Sequence, residues 1–276
     1  MSKNPSTHSI DLDKYFERIG YSDSREPTLN TLKAIHWLHL KAFTFDNLDI
    51  AMGKNIFIDL PAIEEKLVGN KRGGYCFEQT VLLLNVLQQI GFHVTPLISR
   101  VDMGPAVITG NTHAILQITI DNIPWIVDVG FGPYGAPCPV QLNIEDIQQT
   151  FIRSHRMLHK EGRYTHQANI KGEWTDLYSF NLLESYHIDW EIANWWCSTS
   201  KSCFFTFTVL VARFTDSQIL FMHNKHLSVT NIDANKLEGV VDRDIESREE
   251  YLKVLRDYFD TILPDDTVFT SQGLLW

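Results

Sequence analysis

The sequence predicts an α+β fold on three observations. Residues 1–90 carry helical periodicity, 91–200 carry β-type runs punctuated by Gly and Pro, and 201–276 carry two strand candidates followed by a capped helix. Amphipathic stretches run from Leu12 to Ile19, from Leu29 to Phe43 and near Ala62 to Leu67. A fourth follows Cys76, with Phe77, Val81, Leu84 and Leu87 on one face until Gly91 stops it. Together they read as a helical bundle. Val94 to Val101 opens the β part, and Thr112 to Ile120, turning at Asp121-Asn122 into Ile123 to Val129, reads as a hairpin, so a sheet or small barrel follows. In the last part the strand candidates are Phe204 to Ala212 and Gln218 to His223. The helix there opens on a Ser247/Glu250 capping box and faces its core with Tyr251, Leu252, Val254, Leu255, Tyr258 and Phe259. At 276 residues the chain exceeds a comfortable single core, which suggests domains at 1–90, 91–200 and 201–276. No repeat or low-complexity linker separates them, so close packing is expected.

The run Arg72-Gly73-Gly74-Tyr75-Cys76-Phe77-Glu78-Gln79 places a cysteine where a loop becomes a helix. Paired glycines open backbone conformations closed to other residues. Free N–H groups and the macrodipole at a helix start favour a thiolate over a thiol. The competing reading is a buried structural cysteine.

His113 and Asp128 complete a candidate triad. If Asp121 and Asn122 are the turn residues, Ile120 faces Ile123, and Asp128 shares a face with His113 one diagonal step away. Diagonal neighbours have Cα atoms about 7–8 Å apart, within reach of an imidazole and a carboxylate. A nucleophilic thiol needs a base, and the base needs a group that orients it and supports its charge. Cys76, His113 and Asp128 fit those roles in that order.

These residues resemble the arylamine N-acetyltransferase family. The resemblance rests on the cysteine run, on Thr112-His113 and on Val127-Asp128-Val129-Gly130-Phe131-Gly132. Weaker similarity lies at Pro27-Thr28-Leu29, at Phe45-Asp46-Asn47-Leu48-Asp49-Ile50 and from Phe205 to Arg213. It implies an N-terminal helical bundle, a central β-barrel-like domain and a C-terminal α/β lid around a cysteine-peptidase-like core. It further implies Cys76, His113 and Asp128 as catalytic residues, and Phe45, Phe131 and Phe205 as acceptor-pocket positions. With Tyr75 these form the candidate acceptor-binding set, while Thr112 and Gly132 are candidates for contact with acetyl-coenzyme A.

Two positions depart from the family pattern. Asp46 stands where Glu is usual, so an ion pair with Arg72 would use a shorter side chain, and Phe207 stands where a polar residue is common. The implied reaction is ping-pong acetyl transfer through a Cys76 thioester. Its acceptor is the nitrogen of arylamines and hydrazines or the oxygen of N-hydroxyarylamines. Acetyl-coenzyme A is then a co-substrate, with no cofactor held permanently, and a homodimer is among the assemblies left open. The same triad suits a cysteine peptidase or transglutaminase-like enzyme.

A net charge of −10, from 24 Lys and Arg against 34 Asp and Glu, argues against nucleic acid. No apolar run is long enough to span a membrane, and Met1-Ser2-Lys3-Asn4-Pro5 lacks a leader's apolar segment, so a cytoplasmic protein is expected. Cys76, Cys138, Cys197 and Cys203 show neither disulfide-scaffold nor zinc spacing. Gly130 to Gly135 matches a dinucleotide-turn pattern, but Pro133, Pro137 and Pro139 bar the helix that such a turn must open. His155 and His159 have the spacing of a helical metal pair without a third ligand, so no metal site is expected. His36 with His39 and His223 with His226 read as surface or amphipathic positions. Trp190, Trp195 and Trp196 read as core.

Overall fold

Side-chain caps set the helical part. In the computed structural model, which describes residues 8–104, 108–144, 146–233 and 236–276, α1 (Leu12–Ile19) begins where Asp11 accepts the Lys14 N–H and ends at left-handed Gly20. The first residues, read above for a leader, lie outside the described residues. Thr28 caps α2 (Leu29–Ala42) through the Thr31 N–H. After β1 (Phe45–Asp46) and α3 (Leu48–Ala51), the helix expected from Ala62 to Leu67 is split between α4 (Leu60–Ile63) and a π-helical turn, Glu64–Gly69. Then comes α5 (Cys76–Gln89), whose first turn is tied down by Glu78 accepting the Tyr75 N–H at 3.1 Å. Tyr15, Phe16, Leu32, Ile35, Phe77, Leu82 and Val86 join these helices in one buried core. Each such side chain contributes about 1.5–3 kcal/mol on burial.

Seven antiparallel strands follow: β2 (Val94–Val101), β3 (Asn111–Ile120), β4 (Ile123–Val127), β5 (Val140–Gln141), β6 (His155–Lys160), β7 (Arg163–Ile170) and β8 (Glu173–Phe180). Their order is β5-β4-β3-β2-β8-β7-β6. Gln148 draws the two edges together. Its backbone bridges to His155 of β6, and its amide exchanges two hydrogen bonds of 2.8 Å with the Gln141 backbone of β5. The curled sheet is thus nearly closed, filled by Leu97, Ile115, Ile126, Met157, Leu177 and Tyr178. The β3–β4 hairpin has the expected register, Ile120 opposite Ile123, because Asp121 and Asn122 both take left-handed backbone (φ 52° and 62°) and so form the turn that matches strand twist.

Helix α6 (His187–Thr199) is a finding that the β reading of 91–200 did not contain. Its buried stripe, Trp190, Ala193, Asn194 and Cys197, has helical spacing, but exposed Ile188, Ile192, Trp195 and Trp196 put large apolar side chains on the outward face too and mask the period. Of the three tryptophans read as core, only Trp190 is buried.

The last strands, β9 (Leu210–Phe214), β10 (Gln218–His223), β11 (His226–Asp233) and β12 (Lys236–Asp244), form the sheet β1-β9-β10-β11-β12. It is packed by α7 (Arg248–Phe259), whose Ser247 cap accepts the Glu250 N–H. The strand expected from Phe204 begins only at Leu210, after a 3-10 turn at Phe204–Thr206. Asn47 explains this: its amide donates to the Phe205 and Thr208 carbonyls and its oxygen accepts the Leu210 N–H. Backbone groups satisfied by a side chain do not need a ladder.

Candidate active site

Cys76 meets His113 and Asp128 where α5 abuts the β3–β4 hairpin. All three are buried, and His113 Nε2 lies 2.9 Å from Asp128 Oδ2. The β3–β4 ladder ends at Leu116 opposite Val127, so Asp128 follows the last residue of β4, while His113 lies beyond that ladder on the part of β3 that pairs with Ser99 of β2. The second oxygen of Asp128 accepts the Gly130 N–H at 2.9 Å, which fixes the carboxylate. That arrangement leaves Nδ1 as the ring nitrogen available to the thiol.

Burial works against a charged imidazole, yet the charge and hydrogen bond of Asp128, helped by Cys76, prevail and hold the His113 pKa at about 10. Asp128 shows the reciprocal effect. Burial would raise its pKa, but His113 and the Gly130 N–H lower it. The pair is therefore an imidazolium and a carboxylate at neutral pH.

Glycine makes the approach of the two walls possible. A Cβ at Gly130 would sit 2.6 Å from Cys76 Cα and 2.8 Å from its Cβ. Gly73 and Gly74 likewise leave no room, a Cβ meeting Asp46 Oδ2 at 2.1 Å and Glu78 Oε2 at 2.7 Å. Neither takes positive φ, so the glycine pair serves close packing and not the special backbone conformation expected from the sequence.

Ionic contacts brace the same corner. Lys66 Nζ lies 2.6 Å from both Asp49 and Glu78, and Arg72 pairs with Asp49 at 3.1 Å. The Asp46–Arg72 pair expected from the motif is absent among these bridges. Asp46 accepts the Leu48 N–H through Oδ1, its buried Oδ2 has no partner, and burial raises its pKa. Its side chain is one methylene shorter than Glu, and Asp49 holds the arginine instead.

A family model described as N-acetyltransferase matches residues 28–268. The arylamine N-acetyltransferase of Escherichia coli (strain K12) is 33% identical over 219 residues, 79% of this chain and 78% of the relative. A Salmonella typhimurium relative, named arylamine N-acetyltransferase / N-hydroxyarylamine O-acetyltransferase, is 32% identical over the same shares of both chains. The solved structure of Mycobacterium marinum arylamine N-acetyltransferase in complex with CoA matches with a TM-score of 0.84 at 30% identity, covering 91% of this chain and 92% of that one. The chain belongs to the arylamine N-acetyltransferase family. As a member it is an acetyltransferase, and its α+β architecture is that of the family.

The other expected site residues gather around the same point. Phe205 lies edge-on to Tyr75, with ring centroids 5.7 Å apart, and 6.4 Å from Phe45. Phe131 packs edge-on against His113 at 5.1 Å. Gly132, with φ 64°, lies against the Phe45 ring and opens a 3-10 turn where a dinucleotide site would need a helix. The Thr112 carbonyl is 3.9 Å from the Cys76 sulfur. Phe207 is 41% exposed and edges Phe204, outside this cluster.

Several neighbours carried no local signal in the sequence of this arylamine N-acetyltransferase family member. Asn194 of α6 holds the Tyr75 hydroxyl, and Tyr178 of β8 is buried against His113, Phe131 and His166 with its hydroxyl beside Asp128. His155 lies on a strand, not a helix, and pairs with His166 at 3.1 Å, while exposed His159 stacks on Tyr164. His36 and His39, expected at amphipathic or surface positions, are buried on the Ala136 carbonyl and the Tyr15 hydroxyl. Among the described residues no helix is long and apolar enough to cross a membrane.

Proposed function

We propose that the chain moves the acetyl group of acetyl-coenzyme A to an aromatic amine through a thioester on Cys76. The observation that carries this reading is the buried His113–Asp128 pair at 2.9 Å, set against a cysteine at a helix start. In the first step the Cys76 thiolate attacks the thioester carbonyl, and collapse of the tetrahedral intermediate expels coenzyme A, whose sulfur takes the proton of the His113 imidazolium and leaves a neutral imidazole. In the second the amine attacks the acetyl-enzyme, His113 takes its proton, and the thiolate leaves. The Cys76 N–H is an oxyanion donor in both. Asp128 keeps Nδ1 aimed at the sulfur and supports the imidazolium.

Phe45, Tyr75, Phe131 and Phe205 form the slot for a flat acceptor, with Thr112 and Gly132 toward the acetyl-coenzyme A side. Tyr75 is a wall and not a donor, since Asn194 already holds its hydroxyl. Residues 1–90 supply the nucleophile and 91–200 the base and carboxylate, while 201–276 close the slot through Phe205. Hydrazines use the same apparatus, as does oxygen transfer to N-hydroxyarylamines, the activity in the S. typhimurium relative's name. A reducing cytoplasm is where we place the reaction, because it keeps Cys76 free.

Incubation with acetyl-coenzyme A alone should add one acetyl group to Cys76, seen by intact mass and peptide mapping, and an aniline should discharge it. Labelling at another residue, with activity retained in Cys76→Ser, rejects the mechanism.

A further inference from the structure

Helix α6 leaves its outward apolar side chains unused by the fold. Ile188, Ile192 and Trp195 recur at i, i+4 and i+7, opposite the buried Trp190, Ala193 and Cys197, and are 57%, 63% and 66% exposed. Leu183 and Tyr186, also exposed, continue the strip into the segment before the helix. An aromatic side chain presents about 150–250 Å² in full, so Trp195 and Tyr186 alone leave roughly 200–330 Å² in water. The aliphatic side chains bring the strip to the size at which an exposed patch marks an interaction site. Anchoring α6 does not require them. Trp190, Ala193 and Cys197 already join the core, and Asn194 holds the inner side to the Ile56 carbonyl and the Tyr75 hydroxyl.

The fixed charges beside the strip have one sign. At about 3.6 residues per turn, Asp189 lies along one edge of it and Glu191 along the other, and exposed Glu184 follows Leu183. No Lys or Arg occurs between Lys171 and Lys201. One Asp189 oxygen accepts the Tyr186 N–H at 2.8 Å, and Glu191 lies 3.4 Å from exposed His187, so each carboxylate keeps an oxygen for another donor. A second copy of this chain is a poor occupant. Laid antiparallel, each acidic edge meets its own like, and laid parallel, one acidic edge meets the other, which opposes association. An anionic bilayer meets the same repulsion.

We propose that this face docks a basic amphipathic helix of another protein. Its apolar side chains lie along Ile188, Ile192 and Trp195, and its Lys or Arg residues reach the Asp189 and Glu191 edges. Anchors at i, i+4 and i+7 are how one amphipathic helix reads another surface, and an exposed tryptophan is the kind of side chain that dominates such contacts. No residue of the strip takes part in the acetyl transfer proposed above, so docking and catalysis are measured separately.

The probe is a synthetic amphipathic helix of leucine and lysine, about 20 residues long, with a scrambled form and a leucine–glutamate form as controls. Calorimetry should show the lysine helix binding alone of the three, with affinity falling as salt is added. Hydrogen exchange should slow at residues 182–199 and nowhere else. Ile192→Ser combined with Trp195→Ser should weaken binding about ten-fold or more while the melting curve and acetyl transfer stay unchanged. Glu184→Lys combined with Glu191→Lys keeps the apolar strip intact and should turn the preference to the glutamate helix. Absence of binding, equal binding of the scrambled form, protection at other acidic surfaces, or undiminished affinity in the serine variant overturns the proposal. So does sedimentation of the unaltered chain as a dimer that the serine variant dissolves, which gives the face to a second copy. Co-sedimentation with phosphatidylcholine vesicles, lost in the same variant, gives it to a bilayer and overturns the proposal too.

Discussion

The two walls of the site are built by different means. The hairpin wall holds His113 and Asp128 by register: a two-residue left-handed turn fixes every pair behind them, and one backbone N–H locks the carboxylate. The helix wall holds Cys76 by buried charge and by missing side chains, with Lys66, Asp49, Arg72 and Glu78 bracing the first turn and Gly73, Gly74 and Gly130 allowing contact. Register is a local property of the chain, whereas the ionic brace gathers residues from four separate segments. A mutation in the first wall should therefore damage chemistry more than stability, and one in the second should do the reverse.

Asp128→Asn tests that contrast most strongly. It should lower kcat/KM by about 10³–10⁴ with the fold retained, on the precedent of an orienting carboxylate replaced by its amide. A near-normal rate would break the assigned division. The same variant reports on pH. His113 is raised from 6.5 to about 10, so its contribution to stability is whole below pH 6.5 and lost as the pH climbs toward 10. Asp128 is lowered from 3.8, so its share is present above that value and lost in acid. Thermal melts of the unaltered chain and the variant should differ most between about pH 5 and 6.5 and converge at alkaline pH.

Lys66→Met comes next and should act on stability. Breaking a buried bridge from one side costs about 3–5 kcal/mol in denaturant titration, because Glu78 keeps its burial and loses its partner. The cost should shrink in acid. With burial already raising the Glu78 pKa, loss of Lys66 raises it further and the carboxyl takes up a proton instead. Gly130→Ala joins the walls' two fates. Its methyl must push Cys76 aside, and a displacement of about 1 Å costs roughly 10²-fold in rate. An unchanged kcat/KM would mean that the contact yields cheaply. The smallest effect belongs to Phe207→Ser, outside both walls. Its melting curve should shift by less than about 0.5 kcal/mol, and a larger shift would give that exposed ring a structural role.

What the sequence disclosed follows the same division. The hairpin, its turn and the facing of His113 and Asp128 were legible because periodicity and turn chemistry act over a few residues. So were the starts of α1 and α2, read from amphipathic spacing, and of α7, read from its Ser247 cap. Asn47 replacing part of a strand, Asp49 displacing Asp46 as the partner of Arg72, and Asn194 reaching Tyr75 were not legible. Each is a side chain acting across a long sequence separation, and composition carries no trace of it. Helix α6 failed for another reason: its outward face carries Ile188, Ile192, Trp195 and Trp196 among its polar residues, so the hydrophobic period is blurred.

Strand β1 is two residues long, yet it ties the Gly74 backbone on one side to β9 on the other, with Asn47 gripping the segment that precedes β9. On the ribosome, Cys76 emerges well before those partners exist. At about 5–20 residues per second, synthesis from Cys76 to the end of β9 at Phe214 takes roughly 7–28 s. The nascent chain thus makes His113 and Asp128 early, but the corner behind the sulfur stays open until β9 has been synthesised.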